Sequence, residues 1–263
     1  NFKPIPNKFE YLNWQEIESI AKEKRSTVIW PFGAVEQHGP HLPLATDSIF
    51  VDDIISEVFK LLPADIPLKK LPTQYIGFSP EHKGFAGTIS LSSNLITSMI
   101  KEVGGQLSEM GFKRLILING HGGQISLLNT AARELRSFSP GMAVFPCFLW
   151  SGVNGLSELL TKTEIEDGLH ASLAETSLML ALKPELVGDE RPNEGNKGHI
   201  PEGWSLEGNA PTAWLTDDFS KSGVIGDSRG ANESLGKNLK ELLINHWFKL
   251  IMNLMQSDWP NNS

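Results

Sequence analysis

Residues 115–124 read Leu115-Ile116-Leu117-Ile118-Asn119-Gly120-His121-Gly122-Gly123-Gln124, and this stretch decides the fold. An unbroken aliphatic run bounded by turn residues predicts a short strand buried on both faces. Such strands belong to parallel sheets whose connections are helices. Working outward, residues 124–138 predict a helix and residues 143–149 a further strand. Upstream, Ser92 or Ser93 can cap a helix that runs to Met110 and ends at Gly111. Thr27-Val28-Ile29-Trp30 predicts another buried strand, ending at Pro31 and Gly33. A helix capped by Asn13 precedes it, and a helix over 48–62, stopped by Pro63, follows. Residues 68–76 form a weaker strand candidate, interrupted by Pro72. Residues 167–182 and 231–255 predict two more helices. Strands alternating with helices of this size predict an α/β fold with a central, mostly parallel sheet covered on both faces. No internal repeat or low-complexity linker divides the chain, so one domain is expected over residues 1–263. The stretch 188–226, rich in Gly, Asn, Pro and Asp and holding Trp204 and Trp214, reads as one ordered excursion over a site or into a subunit contact.

The 263 residues are 40% hydrophobic and 21% charged, with a net charge of −8. That is ordinary globular composition. Nucleic-acid binding needs clustered Lys and Arg, and no such cluster occurs. The acidic balance also argues against an anionic membrane surface. No apolar run approaches the roughly 20 residues of a membrane span. The lone cysteine, Cys147, lies in the apolar run 142–150 and reads as a small buried hydrophobe. No intramolecular disulfide can form, and a cytoplasmic location is expected.

Chemistry gathers in four segments. Residues 31–47 follow a strand directly, where α/β sheets collect their sites. Glu36 and His38 are two apart and share one side of an extended chain. Asp47 closes the segment. His121 stands just after the 115–118 strand, where it converges with the first segment. The glycines around it permit close backbone approach and expose helix N-terminal N–H groups that can hold a developing anion. A phosphate-loop reading fails because the Walker spacing and its Lys are missing. The third segment holds Asp167, His170 and Glu175. Asp167 can cap the helix. His170 and Glu175 are five apart, about 140° around a regular helix, so they cannot share a face. One division has Glu175 reaching a metal and His170 facing substrate; a satisfied polar Glu175 is the alternative. The fourth segment, with Ser79, Glu81 and His82, either contacts substrate or hydrogen-bonds its own loop. His199 and His246 have no supporting company.

Together these segments resemble the creatininase family, the creatinine amidohydrolases and their relatives. The likeness is carried by Gly33-x-x-Glu36-Gln37-His38-Gly39-Pro40-His41-Leu42-Pro43, Thr46-Asp47, Asn119-Gly120-His121-Gly122-Gly123, and His170-Ala171 with Glu175-Thr176-Ser177. Weaker echoes are Glu81-His82 with Gly87-Thr88, and residues 223–227. The resemblance implies a three-layer α/β/α domain with two divalent ions, zinc and/or manganese, in a homo-oligomer, commonly a hexamer. Glu36, Asp47 and His121 would bind one ion, and His38 and Asp47 the other, with Asp47 bridging. His170 matches the family histidine that handles protons near substrate. Two positions depart from creatininase proper. Its aromatic residue and metal-binding glutamate after the histidine are Gly122 and Gly123 here, which makes Glu175 the natural substitute ligand. Its substrate-packing Trp before the aspartate matching Asp167 is Glu166 here.

The expected function is hydrolysis of a small cyclic amide or related C–N bond by a metal-activated water, with His170 and Glu175 as catalytic groups. Glu36, His38, Asp47, His121 and Glu175 are the expected metal ligands. Ser79, Glu81, His82, Gly122, Gly123 and Asp167 are the expected substrate contacts. Rivals keep the fold but act on a formamide, a peptide precursor or a cyclic sugar ketone. A different class is a non-catalytic binding protein that keeps metal for stability. A ureohydrolase would want an Asp-x-His-x-Asp ligand set, which does not occur.

Overall fold

A computed structural model describes residues 7–195 and 200–260; His199 lies outside the described residues. Four parallel strands, β1 (Thr27–Phe32), β2 (Leu68–Lys70), β3 (Arg114–Asn119) and β4 (Ala143–Phe148), form the central sheet in the order β2-β1-β3-β4. Alternate residues of β3 serve opposite faces. Ile116 and Ile118 join a core with α2 (Thr46–Leu61), α7 (Leu173–Leu182) and α8 (Glu233–Gln256). Leu115 and Leu117 join a second core with α1 (Trp14–Ala21), α3 (Ser93–Met110) and α4 (Ile125–Phe138). The sheet is therefore the middle of three layers, and the unbroken run 115–118 is apolar because both of its faces are covered.

Local signals set most boundaries. Asn13 and Glu16 form a reciprocal capping box at the start of α1. The Ser92 hydroxyl caps α3, and Gly111, at φ 109°, closes it in the left-handed conformation. Two expectations need correction. The strand expected over 68–76 is regular only at Leu68–Lys70 and continues as a single bridge between Phe32 and Gln74. Pro72 supplies no N–H for a continuous ladder. The helix expected over 167–182 is broken. The short helices α5 (Leu156–Leu159) and α6 (Lys162–Asp167) end before it, and α7 starts only at Leu173. Between them, His170 is extended and pairs with Ile225, while Ala171 takes a positive φ of 53°.

The excursion after α7 carries a small antiparallel pair, β5 (Asn193–Glu194) with β6 (Gly226–Asp227). Glu194 anchors it by accepting from Lys221 N–H, Ser222 N–H and Ser220 Oγ at 2.8, 2.8 and 3.0 Å. At the far end, the buried Arg114 side chain donates to the carbonyls of Leu254, Ser257 and Trp259 at 2.9, 2.6 and 2.6 Å. Those contacts pin the close of α8 under the sheet. Among the described residues no helix is long and apolar enough to cross a membrane.

Candidate metal centre

Register positions the site. Phe32, Asn119 and Phe148 stand level at the carboxyl ends of β1, β3 and β4, so the loops leaving β1 and β3 are released side by side. The loop after β1 carries Glu36 and His38 and returns Asp47 in the first turn of α2, where the helix dipole favours a carboxylate. The loop after β3 delivers His121. The two loops touch closely at Gly120, where a Cβ would lie only 2.4 Å from the Asp47 carbonyl oxygen.

Glu36, His38, Asp47 and His121 are all buried and converge. His121 Nδ1 lies 3.2 Å from Glu36 Oε1 and 3.1 Å from Asp47 Oδ2, and His38 Nε2 lies 3.2 Å from Asp47 Oδ1. Each imidazole is turned by a backbone acceptor on its other edge. His38 Nδ1–H donates to the Glu36 carbonyl at 3.2 Å, and His121 Nε2–H donates to the Phe78 carbonyl at 3.0 Å. In neutral rings the remaining lone pairs therefore point at carboxylates. Both oxygens of Glu36 and Oδ2 of Asp47 are buried with no hydrogen-bond partner. Lone pairs facing unpartnered carboxylates repel unless a cation stands between them.

The titration behaviour carries the same strain. Burial works to lower His38, but the charge and hydrogen bond of Asp47 outweigh it and hold the imidazole up at about 9. Burial likewise opposes protonation of His121, yet Glu36 and Asp47 raise it well above its ordinary value. Burial would raise Asp47, but His38 and His121 hold it well below the usual carboxylate range. The raised imidazoles and the lowered carboxyl show the pull toward a positive charge at this point. Mixed His and carboxylate donors of this kind suit zinc or manganese.

His170 and Glu175 meet despite the spacing argument against it, because His170 precedes the helix instead of lying on it. Together with His38 they bring ligand atoms within 4.8 Å of one another. Ala171 N–H donates to Glu175 Oε2 at 2.6 Å, and burial pushes the Glu175 carboxyl up to about 7. His170 Nε2–H donates to the Gln37 carbonyl at 2.7 Å, which leaves Nδ1 free, 4.0 Å from Glu36 Oε1. Burial, then the fields of His82 and His38, lower His170 well below its ordinary value, so the ring is neutral.

His82 belongs to the same group, with Nε2 3.4 Å from Glu36 Oε1. Its tautomer follows from Gln37. Gly39 N–H donates to Gln37 Oε1 at 2.9 Å and Gln37 Nε2 donates to the Gly223 carbonyl at 3.0 Å, which orients the amide. Gln37 Nε2 then also donates to His82 Nδ1, at 2.9 Å. The neutral His82 ring therefore carries its hydrogen on Nε2, toward Glu36.

A cavity of about 420 Å3 opens over these groups. Glu36, Asp47, Glu81, His82, His121 and Glu175 are on its wall, with Gly122, Gly123 and His170. Its apolar lining includes Trp150, Leu156, Leu160, Ile165, Leu169 and Trp214. Ser79 is buried with its Oγ 3.3 Å from His121 Nε2, and Asp167 lines a separate groove with Asn193 and Asp227. His246 sits on α8, away from this group, edge-on to Trp247.

Sequence reasoning passed over the residues that position these side chains. Gln37 lies inside the first segment, and its alternation with Glu36 and His38 was the available signal. Asn119 accepts from His121 N–H at 2.9 Å through Oδ1 and donates to the His121 carbonyl at 2.7 Å. Gln124 ties β1 to β3, donating to the Gly33 carbonyl and to Asn119 Oδ1 at 2.9 and 3.0 Å. Thr216, from the excursion, donates to His82 Nδ1 at 2.6 Å, with its Oγ1 3.0 Å from the Glu81 carbonyl, and had no local signal.

The family model described as creatinine amidohydrolase matches residues 10–251. The chain belongs to the creatininase family. This creatininase-family chain is 31% identical over 219 residues to the mycofactocin precursor peptide peptidase of Mycobacterium tuberculosis, covering 81% of this chain and 79% of the relative. It is 28% identical over 194 residues to the creatinine amidohydrolase of Pseudomonas putida, covering 68% and 73%. It is 26% identical over 274 residues to the 3-dehydro-scyllo-inosose hydrolase of Thermotoga maritima, covering 97% and 85%. Its fold matches a manganese creatininase with a TM-score of 0.76 and a mutant creatininase of Zn–Zn type with 0.78. Both are 23% identical to it and cover 96% of this chain and 100% of theirs. Three-layer α/β/α architecture and hydrolase chemistry are thus common ground between this chain and its family.

Proposed function

We propose that this chain is a metal-dependent amidohydrolase that opens a C–N bond of a small cyclic amide or a related substrate, using two divalent ions, zinc and/or manganese. The observation that carries the reading is the set of buried, unpartnered oxygens of Glu36 and Asp47 facing the oriented nitrogens of His38 and His121 at the floor of a cavity. Glu36, Asp47 and His121 would hold one ion, and His38, Asp47 and Glu175 the other. Glu175 takes the part of the glutamate that creatininase proper has at the position of Gly123. Bound divalent ions supply Lewis acidity, which polarises a carbonyl and acidifies water.

The chain's own groups do the rest. His170, neutral with a free Nδ1, takes the proton of the attacking water and passes it to the leaving nitrogen. His82 presents an Nε2–H that can bond the oxygen on which charge develops. Gly122, on the cavity wall in the turn before α4, leaves open space for substrate. Trp150, Leu160 and Trp214 shed water from the cavity and receive an apolar part of the substrate. A single domain over residues 1–263, a hexameric assembly and a cytoplasmic location, compatible with the free Cys147, complete the proposal. The names of the relatives keep a peptide precursor and a cyclic sugar ketone as alternative substrates.

The test is elemental analysis of the purified protein, with turnover of creatinine, other cyclic amides, formamides, short peptides and cyclic sugar ketones before and after chelation. About two ions per chain and activity that chelation removes and metal restores are expected. Full activity in metal-free protein would end the reading.

A further inference from the structure

The outer edge of His121 is crowded with acceptors. Its Nε2 faces the Phe78 carbonyl at 3.0 Å, Ser79 Oγ at 3.3 Å and Glu81 Oε1 at 3.3 Å. Its inner edge, Nδ1, faces Glu36 and Asp47. Carbonyl and carboxylate can only accept, so once a cation stands between Nδ1 and its two carboxylates, the hydrogen of the neutral ring is on Nε2 and the lone pair is turned inward. Glu81 is the charged member of that outer set. It reaches the ring from the short 3-10 turn Pro80–His82, which Thr216 holds with its Oγ1 2.6 Å from His82 Nδ1 and 3.0 Å from the Glu81 carbonyl.

The carboxylate can stand there because residue 123 has no side chain. A Cβ at Gly123 would lie 1.8 Å from Glu81 Oε1 and 2.7 Å from His121 Nε2. The backbone of Gly123 lies outside the left-handed region, so local conformation gives no reason for glycine. The close approach of Glu81 does.

We infer that Glu81 is the positioning carboxylate of the metal-binding His121, and that Gly123 is glycine in order to admit it. The inference rests on the proposal that His121 holds a metal. A carboxylate behind a ligating imidazole fixes the ring's tautomer and rotation and strengthens the inner nitrogen as a donor. Positions 81 and 123 are then one unit. The chain gives up a side chain at 123 and receives a charge behind the ligand from a different loop. This gives Glu81 a role beyond lining the cavity.

The test is the affinity of the metal-stripped full chain for Zn2+ by chelator competition, with the visible spectrum of the Co2+-loaded protein. Glu81→Ala should weaken the tighter site by about 10- to 100-fold and shift the Co2+ bands, because losing a partner behind a ligand typically costs that much. Glu81→Gln, which keeps an acceptor oxygen but no charge, should recover part of the loss. Gly123→Ala should weaken the site at least as much as Glu81→Ala, since its Cβ would displace the flexible end of Glu81 and stand 2.7 Å from His121 Nε2. The double variant should be scarcely weaker than Gly123→Ala alone. Unchanged Zn2+ affinity and Co2+ spectrum in Glu81→Ala would overturn the inference, as would fully additive losses in the double variant. Should Glu81→Ala fail to fold, Glu81→Gln and Gly123→Ala carry the same comparison. A wild-type chain that binds no Zn2+ at all would instead bring down the proposed metal centre, and this inference with it.

Discussion

His82 stacks on His170, with ring centroids 4.1 Å apart and planes inclined by 26°. Gln37 holds both rings, His82 through its side-chain amide and His170 through its backbone carbonyl. One residue thus makes one imidazole a donor toward Glu36 and leaves the other an acceptor.

That pairing separates two variants. His170→Ala should lower kcat by about 10²- to 10⁴-fold, the usual worth of a positioned acid–base group. Gln37→Ala releases His82, with the Gly39 and Gly223 contacts, but leaves the carbonyl that holds His170, and should cost less, about 10-fold, on the scale of a lost supporting hydrogen bond. Metal content should be unchanged in both, measured on the same samples. Because the pKa of His170 is depressed, its neutral form persists as pH falls past the ordinary imidazole range. The acid limb of the kcat profile that His170→Ala removes should therefore lie below pH 6.5. A limb centred above that value would contradict the assignment.

The unpartnered oxygens of Glu36 predict opposite effects on the two forms of the protein. At a pH high enough to neutralise His38 and His121, Glu36→Gln removes an uncompensated buried charge and should stabilise the metal-free chain by about 1 kcal/mol or more. It should also abolish the stabilisation that metal supplies, about 4 kcal/mol at a thousand times the Kd. Thermal melts with chelator and with excess Zn2+ read both. A variant less stable than wild type in chelator would show that the carboxylate is already satisfied.

Arg114 predicts a structural effect remote from chemistry. Arg114→Ala leaves the carbonyls of Leu254, Ser257 and Trp259 without their charged donor. Losing three such bonds should cost about 3 kcal/mol or more, seen in denaturant unfolding. Metal per folded chain should not change.

Glu194 predicts an acid-sensitive strap. Burial would raise its carboxyl, but bonds from Ser222, Lys221 and Ser220 hold it down at about 2. A folded-state pKa below the ordinary 4.5 gives stability that is present above pH 4.5 and is lost as pH falls toward 2. Glu194→Gln should therefore lower the melting temperature at pH 7, and the difference from wild type should shrink toward pH 3. A constant difference across that range would argue that the carboxylate charge is irrelevant.

Much of this was legible in the chain itself. The run 115–118, the caps at Asn13, Ser92 and Gly111 and the loops after β1 and β3 all report interactions within a few residues. Those suffice to call strand, helix and the end of the sheet where side chains meet. The break at 168–172 was not legible, because residues 167–182 look helical in isolation. Pairing of His170 with Ile225, far along the chain, takes that backbone out of the helix and brings His170 beside Glu175.

By itself, then, the sequence determined an α/β sheet with both faces covered and marked Glu36, His38, Asp47 and His121 as the cluster to expect. Period and turn chemistry are short-range, so they can be read from neighbours. Only the tertiary structure decided which imidazole edge faces inward, that His82 joins the group, and that Glu81 stands in the space over Gly123. Each of these depends on atoms from loops tens of residues apart. Their separation is set by strand register and layer packing, and no local pattern encodes it.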